Sequence, residues 1–342
     1  MLKILITIAG LFFLAVACNY QNPPAMENPT VNETPSPEQG ESIYPISMQA
    51  LMQKEFGGRD LVLGKVLEDN SAYTRYYITY KSLLAGQVDG ELTISGIMNI
   101  PKGTAPEGGW PVLFLNHGHI DPLVYTNGRG LRREQDYLAR QGFVVLHSDY
   151  RNHAESDKDD TNETVKIRLG YVEDVINAVL AVQNSNLKNI NKQKIGMLGH
   201  SMGGGITQSV LVVKPDLVKA AVLYAPVSGR AGDSFERWTK TRAPITKQIE
   251  EQYGSPTTSP EFWANISSET FFNNIKTPML YFHGTGDDSV PIEWSRRSVE
   301  ILKNLNKNAD LIEYPGQPHE FAPPTWNDFM KKSAVFFKQY LN

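Results

Sequence analysis

Between residues 110 and 341, short apolar runs alternate with longer stretches of helical spacing, and few folds accommodate that alternation. The runs occupy 110–118, 142–150, 194–201, 219–227, 277–285 and 309–316. Each has the length of a strand and carries too few polar residues to leave one face in water, which reads as strands buried on both faces. The intervening stretches 130–141, 164–185, 205–213, 291–305 and 328–341 have helical periodicity. Strand alternating with helix predicts an α/β fold with a mostly parallel central sheet and helices on both faces. Upstream, "YTRYYITYKS" from Tyr73 and "ELTISGIMNIP" from Glu91 predict an antiparallel pair. With 41% hydrophobic residues, the 342-residue chain has material for one large domain, placed at 42–342.

In such sheets the ligand site lies beyond the carboxyl ends of the strands. The polar clusters fall there: "NHGHIDP", "DYRNHAESD", Ser201, "HGTGDDSVP" and "GQPHEF" each follow a run. Gly199-His200-Ser201-Met202-Gly203 has the form G-x-S-x-G, the sharp strand-to-helix turn that exposes a nucleophilic serine. A serine hydroxyl needs a base to take its proton, and the base needs a partner that fixes its tautomer. Of the seven histidines, His147 lies mid-strand and His200 points away from Ser201 in the elbow. His117 and His283 each precede a glycine at a strand end, where shaping a loop is the expected role. His319, on the loop after the last run, is the expected base. The acid comes from the loop carrying Asp287 and Asp288, and only one of the two can face His319. The order Ser, Asp, His is that of α/β-hydrolases.

Taken together, "DYRNHAESD", "YVEDVINAV", "GHSMGGG", "HGTGDDSVP" and "GQPHEF" resemble the catalytic domain of the prolyl oligopeptidase group, peptidase family S9, and its single-domain esterase relatives, over residues 73–342. The resemblance implies an α/β-hydrolase fold with Ser201 as nucleophile, His319 as base and, through H-G-x-x-D-x-x-V-P, Asp287 as acid. It also implies an oxyanion hole made by the backbone amides of Met202 and His119. The family often has Gly-Gly or an aromatic residue where this chain has His119. His117 and His119, two apart and without a third ligand nearby, are not expected to bind a metal, and no cofactor is expected. Residues 229–276, with Phe235, Trp238, Phe262, Trp263, Phe271 and Phe272, are read as a small helical cap closing over Ser201. About seventy residues, 41–110, precede the first parallel run, which are too few for a β-propeller.

Lys3, then the apolar or small residues Ile4 to Ala17, then the sole cysteine Cys18, predict a signal peptide over 1–17. "LAVAC" resembles the lipobox of bacterial lipoproteins, which implies lipidation of Cys18 and a secreted, membrane-anchored protein of the cell envelope. Residues 18–41 then form an acidic, proline-rich tether. A net charge of −4 without a basic stripe excludes nucleic acid as an expected partner. The expected activity is cleavage of a small ester or short peptide through an acyl-enzyme, with an esterase favoured. The alternatives are an S9-type peptidase and a non-catalytic binding module on the same fold.

Overall fold

The computed structural model describes residues 44–83 and 91–341. The expected signal peptide, Cys18 and tether lie outside the described residues. Helix α1 (Met48–Gln53) precedes three antiparallel strands, β1 (Arg59–Asp69), β2 (Tyr73–Ser82) and β3 (Leu92–Pro101). The chain continues through β4 (Trp110–Asn116), α2 (Arg132–Arg140), β5 (Val144–Ser148), α3 (Gly170–Asn184), β6 (Ile190–His200), α4 (Met202–Val213) and β7 (Ala220–Tyr224). An insertion carries α5 (Ala231–Ser234), a π-helical turn at Phe235–Thr239, α6 (Ala243–Tyr253), α7 (Pro260–Asn265) and a 3-10 helix at Ser268–Asn274. Strand β8 (Met279–Gly284), α8 (Ile292–Asn304), β9 (Ala309–Tyr314) and α9 (Thr325–Leu341) complete the chain.

The nine strands form one sheet in the order β1-β2-β3-β5-β4-β6-β7-β8-β9, parallel from β5 to β9. Side chains alternate across a strand, and this divides the apolar runs between two cores. Val112 and Phe114 of β4 and Val144 and Leu146 of β5 face a core shared with α3, α4 and α8. Leu113, Leu115 and Val145 face the opposite core, shared with α2 and α9. Each such side chain contributes roughly 1.5–3 kcal/mol by leaving water, so truncation at the centre, as in Leu113→Ala, would cost about 2–5 kcal/mol.

Two expected boundaries shift. The stretch 164–185 is helical only from Gly170, because Ile167 and Arg168 take left-handed φ values of 45° and 65°. Apolar spacing continues through a segment whose backbone does not. Helix α4 begins at Met202 rather than Gly205, so the glycines after Ser201 lie in its first turn. Close approach explains them: a β-carbon on Gly203 would lie 2.0 Å from the Asn116 carbonyl oxygen, and one on Gly199 would lie 2.3 Å from that of Gly203. Strand β1, mostly exposed and bulged against β2, was not anticipated.

Candidate active site

Strand β6 sits near the middle of the parallel strands, between β4 and β7, and delivers Ser201 at its carboxyl end. Ser201 has φ 54° and ψ −120°, a conformation that costs an L-residue on the order of 1–3 kcal/mol. Its surroundings hold it there. The Ser201 N–H donates to the Tyr224 carbonyl at 3.0 Å, and the Ser201 carbonyl accepts from the amides of Gly204, Gly205 and Val227. Met202 opens α4, so its amide belongs to the positive end of that helix. A β-carbon on Gly118 would lie 3.2 Å from that of Ser201, which puts the segment after β4 against the serine, with His119 one residue further on.

Asp287 lies on the loop after β8, its side chain fully buried. His319, on the loop after β9, donates from Nδ1 to Asp287 Oδ2 at 2.7 Å. Asp287 Oδ1 accepts the amides of Ser289 at 2.9 Å and Val290 at 2.8 Å. Burial opposes ionisation of this carboxyl, but hydrogen bonds from His283, His319 and the Val290 amide outweigh it and hold its pKa well below the usual range. Asp288 is exposed, and its carboxylate accepts only the Ser289 hydroxyl among the described residues. The loop thus turns Asp287 inward to His319 and leaves Asp288 in water.

His200 is buried, and its ring lies 4.7 Å from that of His319. Its Nε2 donates to the His319 carbonyl at 3.4 Å. Burial lowers its pKa to about 3, so it serves as a neutral donor that steadies the His319 loop beside the elbow.

His283 has a role the sequence reading missed. Fully buried, it donates from Nε2 toward Asp287 Oδ2 and the Val290 carbonyl, both at 3.0 Å, and its Nδ1 accepts the Ser295 hydroxyl at 2.8 Å. Two imidazoles therefore converge on one carboxylate oxygen. The signal was available in the spacing: His283 opens the motif that contains Asp287, four residues on.

The insertion grips both rims of the cleft. Arg237 donates to the carbonyls of Asp288 at 2.6 Å and Ser289 at 2.7 Å, on the β8 side. Arg242 reaches Glu163 at 3.5 Å and the Tyr253 hydroxyl donates to the Val165 carbonyl at 2.7 Å, both on the loop after β5. Strand β6, which carries Ser201, lies between β5 and β8 in the sheet, and Arg237 and Arg242 of the insertion contact the loops that follow those two flanking strands. Most of the aromatics expected to line this cap are structural. Phe235, Phe262 and Trp263 form a separate small core with Ile249 and Ile266, and Phe271 and Phe272 pack into the main one. Trp238 instead meets Trp294 edge to face at 5.6 Å.

His117 does not reach outward as a metal ligand would. It is buried, bonded to the Gly118 carbonyl at 2.7 Å and stacked on Tyr150 and His147. A cavity of about 440 Å³ lies off to one side, against Arg151, Asp159, Glu173 and Asn177, and none of Ser201, Asp287 or His319 lines it.

The profile of the prolyl oligopeptidase family, Peptidase S9, matches residues 129–342. A protein named probable dipeptidyl peptidase 4 from Aspergillus flavus is 29% identical over 244 residues, covering 70% of this chain and 30% of that one. The uncharacterized peptidase YtmA of Bacillus subtilis is 28% identical over 234 residues, covering 68% and 83% respectively. Among solved structures, an acetyl xylan esterase from Paenibacillus sp. R4 superposes with a TM-score of 0.64 at 19% identity, covering 86% of this chain and 92% of that one. The chain spans about three-tenths of the length of relatives such as the Aspergillus protein.

Proposed function

The chain belongs to the prolyl oligopeptidase family; from that premise we propose that it is a serine hydrolase that cleaves small esters through an acyl-enzyme on Ser201, in preference to internal peptide bonds. The observation that carries the preference is the double grip of the insertion, Arg237 on one rim and Arg242 on the other. A roof tied at both ends leaves room for a small acyl group and little for an extended chain. Amide cleavage also demands a well-timed proton on the departing nitrogen, and hence a substrate held firmly on both sides of the bond. An alkoxide or phenoxide leaves with less help. The relatives named as peptidases support the alternative, an S9-type peptidase, and the acetyl xylan esterase fold accommodates the ester reading.

In this reading the Ser201 hydroxyl attacks the carbonyl carbon while His319 Nε2 takes its proton. Asp287, bonded to Nδ1, fixes the tautomer and stabilises the imidazolium that forms. The carbonyl oxygen becomes an oxyanion and accepts the amides of Met202 and His119. Collapse of this intermediate breaks the bond to the leaving oxygen, which receives the proton from His319. Water, deprotonated by His319, then attacks the acyl-enzyme; the bond to Ser201 Oγ breaks, the acid leaves, and His319 returns its proton to Ser201.

The test is labelling with a fluorophosphonate followed by kinetics. Wild type is expected to label, and Ser201→Ala to lose the label and about 10⁴-fold or more in kcat/KM on p-nitrophenyl acetate. A label that persists on another serine rejects the nucleophile. Prolyl or alanyl amides turned over with kcat/KM equal to or above the best ester would replace the esterase reading with the peptidase one. The lipid anchor is proposed alongside: Cys18→Ser is expected to move the protein out of the membrane fraction, and a wild type that is already unanchored would reject it.

A further inference from the structure

The Glu163 rim carries more positive charge than its own hydrogen bonds use. Arg168 donates from both Nε and Nη2 to Glu163 Oε2, at 3.0 and 2.9 Å, and Arg242 approaches the same oxygen at 3.5 Å. The Tyr171 hydroxyl takes the other oxygen at 3.3 Å. Two guanidiniums therefore share one carboxylate, a local charge of +1. Each guanidinium has about five N–H donors, and Glu163 is the side chain that both bond among the described residues. The group is half open to solvent, with side-chain exposures of 30% for Arg168, 29% for Glu163 and 44% for Arg242.

The backbone gives a second observation. Ile167 and Arg168 are consecutive non-glycine residues with left-handed φ, and for the β-branched Ile167 this is a genuine outlier. Such strain persists where surrounding structure over-determines it. Here Ile167 packs into the small core of the insertion while Arg168 turns to Glu163. The cluster stands at the carboxyl edge of the sheet: Glu163 and Arg168 lie on the loop after β5, β4 alone separates β5 from β6 and its Ser201, and Arg242 lies on the insertion whose Arg237 bonds the Asp287 loop. His119 is the residue after Gly118, which lies against Ser201.

We propose that Arg168 and Arg242, spaced by Glu163, form a carboxylate-binding subsite beside His119, so that the preferred substrate is an ester bearing an anionic group. This rests on the esterase reading of Ser201 and adds its substrate class. Glu163 acts as the spacer: it keeps the two cations together when the subsite is empty, and an incoming carboxylate accepts the donors that Glu163 leaves over. One of the two guanidiniums belongs to the insertion, so a bound anion also ties the roof to the rim.

Matched substrate pairs test the proposal on the intact protein. p-Nitrophenyl butyrate is compared with mono-p-nitrophenyl glutarate, whose carboxylate is on the acyl side, and phenyl acetate with p-carboxyphenyl acetate, whose carboxylate is on the leaving side. In one pair the carboxylate ester is expected to be favoured about tenfold or more in kcat/KM at low salt, the size of a charge-assisted contact. The ratio is expected to fall toward unity in Arg168→Gln and in Arg242→Gln, and to shrink at high ionic strength. Because a ratio of two substrates is read, a general loss of activity in a variant does not imitate the effect. Ratios at or below unity in both pairs, or a preference that survives in both variants, overturn the subsite while leaving Ser201-dependent ester hydrolysis standing. Failure to cleave any ester removes the esterase reading, and this inference with it.

Discussion

The rim around Asp287 and the rim around Glu163 are both built on a carboxylate that collects N–H donors, yet they differ in how completely it is enclosed. Asp287 is fully buried and takes two imidazoles on one oxygen and two backbone amides on the other. Three of those four donors come from its own loop or the strand leading into it. Glu163 is part-exposed, and one of its partners arrives from the insertion, 79 positions away. The first arrangement suits a group that must hold one orientation and one charge through a reaction. The second leaves donors to spare and depends on a second segment closing over it.

The largest expected effect strikes the enclosed rim. Asp287→Asn keeps the shape but presents an N–H where His319 needs an acceptor, so the wrong tautomer results, and kcat is expected to fall about 10⁴-fold. Asp288→Asn is expected to change kcat/KM far less. Ester kinetics on the two variants check the pair, and the reverse ranking would move the acid to Asp288.

His283→Phe is expected to lose less than Asp287→Asn and more than Asp288→Asn, because Asp287 keeps His319 and both amides. His283 acts through Asp287 and is a positioning residue. Two readouts separate this from a general loss of packing. The decrease is expected in kcat with KM nearly retained, and the acid limb of the kcat profile is expected to shift, since removing one N–H from Oδ2 concentrates the carboxylate charge on His319. An unmoved profile together with a raised KM would assign His283 to packing alone.

The smallest expected effect is on acid stability. Asp287 and Glu163 both have depressed pKa values, against burial in each case, through the hydrogen bonds and charges named above. A carboxyl with a lowered folded pKa contributes stability that is fully present above its unfolded value, about 4, and is lost as pH falls through the folded value. Glu163 is part-exposed, whereas the Asp287 side chain is buried and takes four donors, so the Glu163 rim is expected to loosen first on acidification. Hydrogen-exchange protection, corrected for the intrinsic rate at each pH between about 5 and 3, is expected to be lost in residues 161–169 and 239–253 before 285–291. Simultaneous loosening would show that the two rims are held as one unit.

What was legible in the sequence was what short-range pattern records. The parallel strands show because burial on both faces leaves nearly continuous apolar runs, as in Val112 to Leu115 and Val144 to Leu146. The placement of Ser201, Asp287 and His319 follows from motif spacing, since each sits within a few residues of a strand end and the sheet brings those ends together. Strand β1 was not legible: it lies exposed along an edge, so its side chains alternate weakly and carry little burial signal. The start of α3 was misread for the opposite reason. Val165, Leu169 and Val172 are apolar at helical spacing, yet Leu169, like Ile167, packs against the insertion, and a one-dimensional pattern does not tell that contact from a helix face.

By itself the sequence determined the α/β order, the elbow with its glycines and the choice of a serine, a histidine and an acidic loop, all of which rest on neighbours along the chain. The motif resemblance already favours Asp287 over Asp288; only the tertiary structure decided that His283 shares the Asp287 oxygen with His319 and that Arg237 and Arg242 reach opposite rims. Those outcomes depend on which side chains meet across loops far apart in sequence. Backbone strain at Ile167 and Arg168 and the competition for a single carboxylate oxygen are set by packing in three dimensions, where local propensity carries no record of the partner.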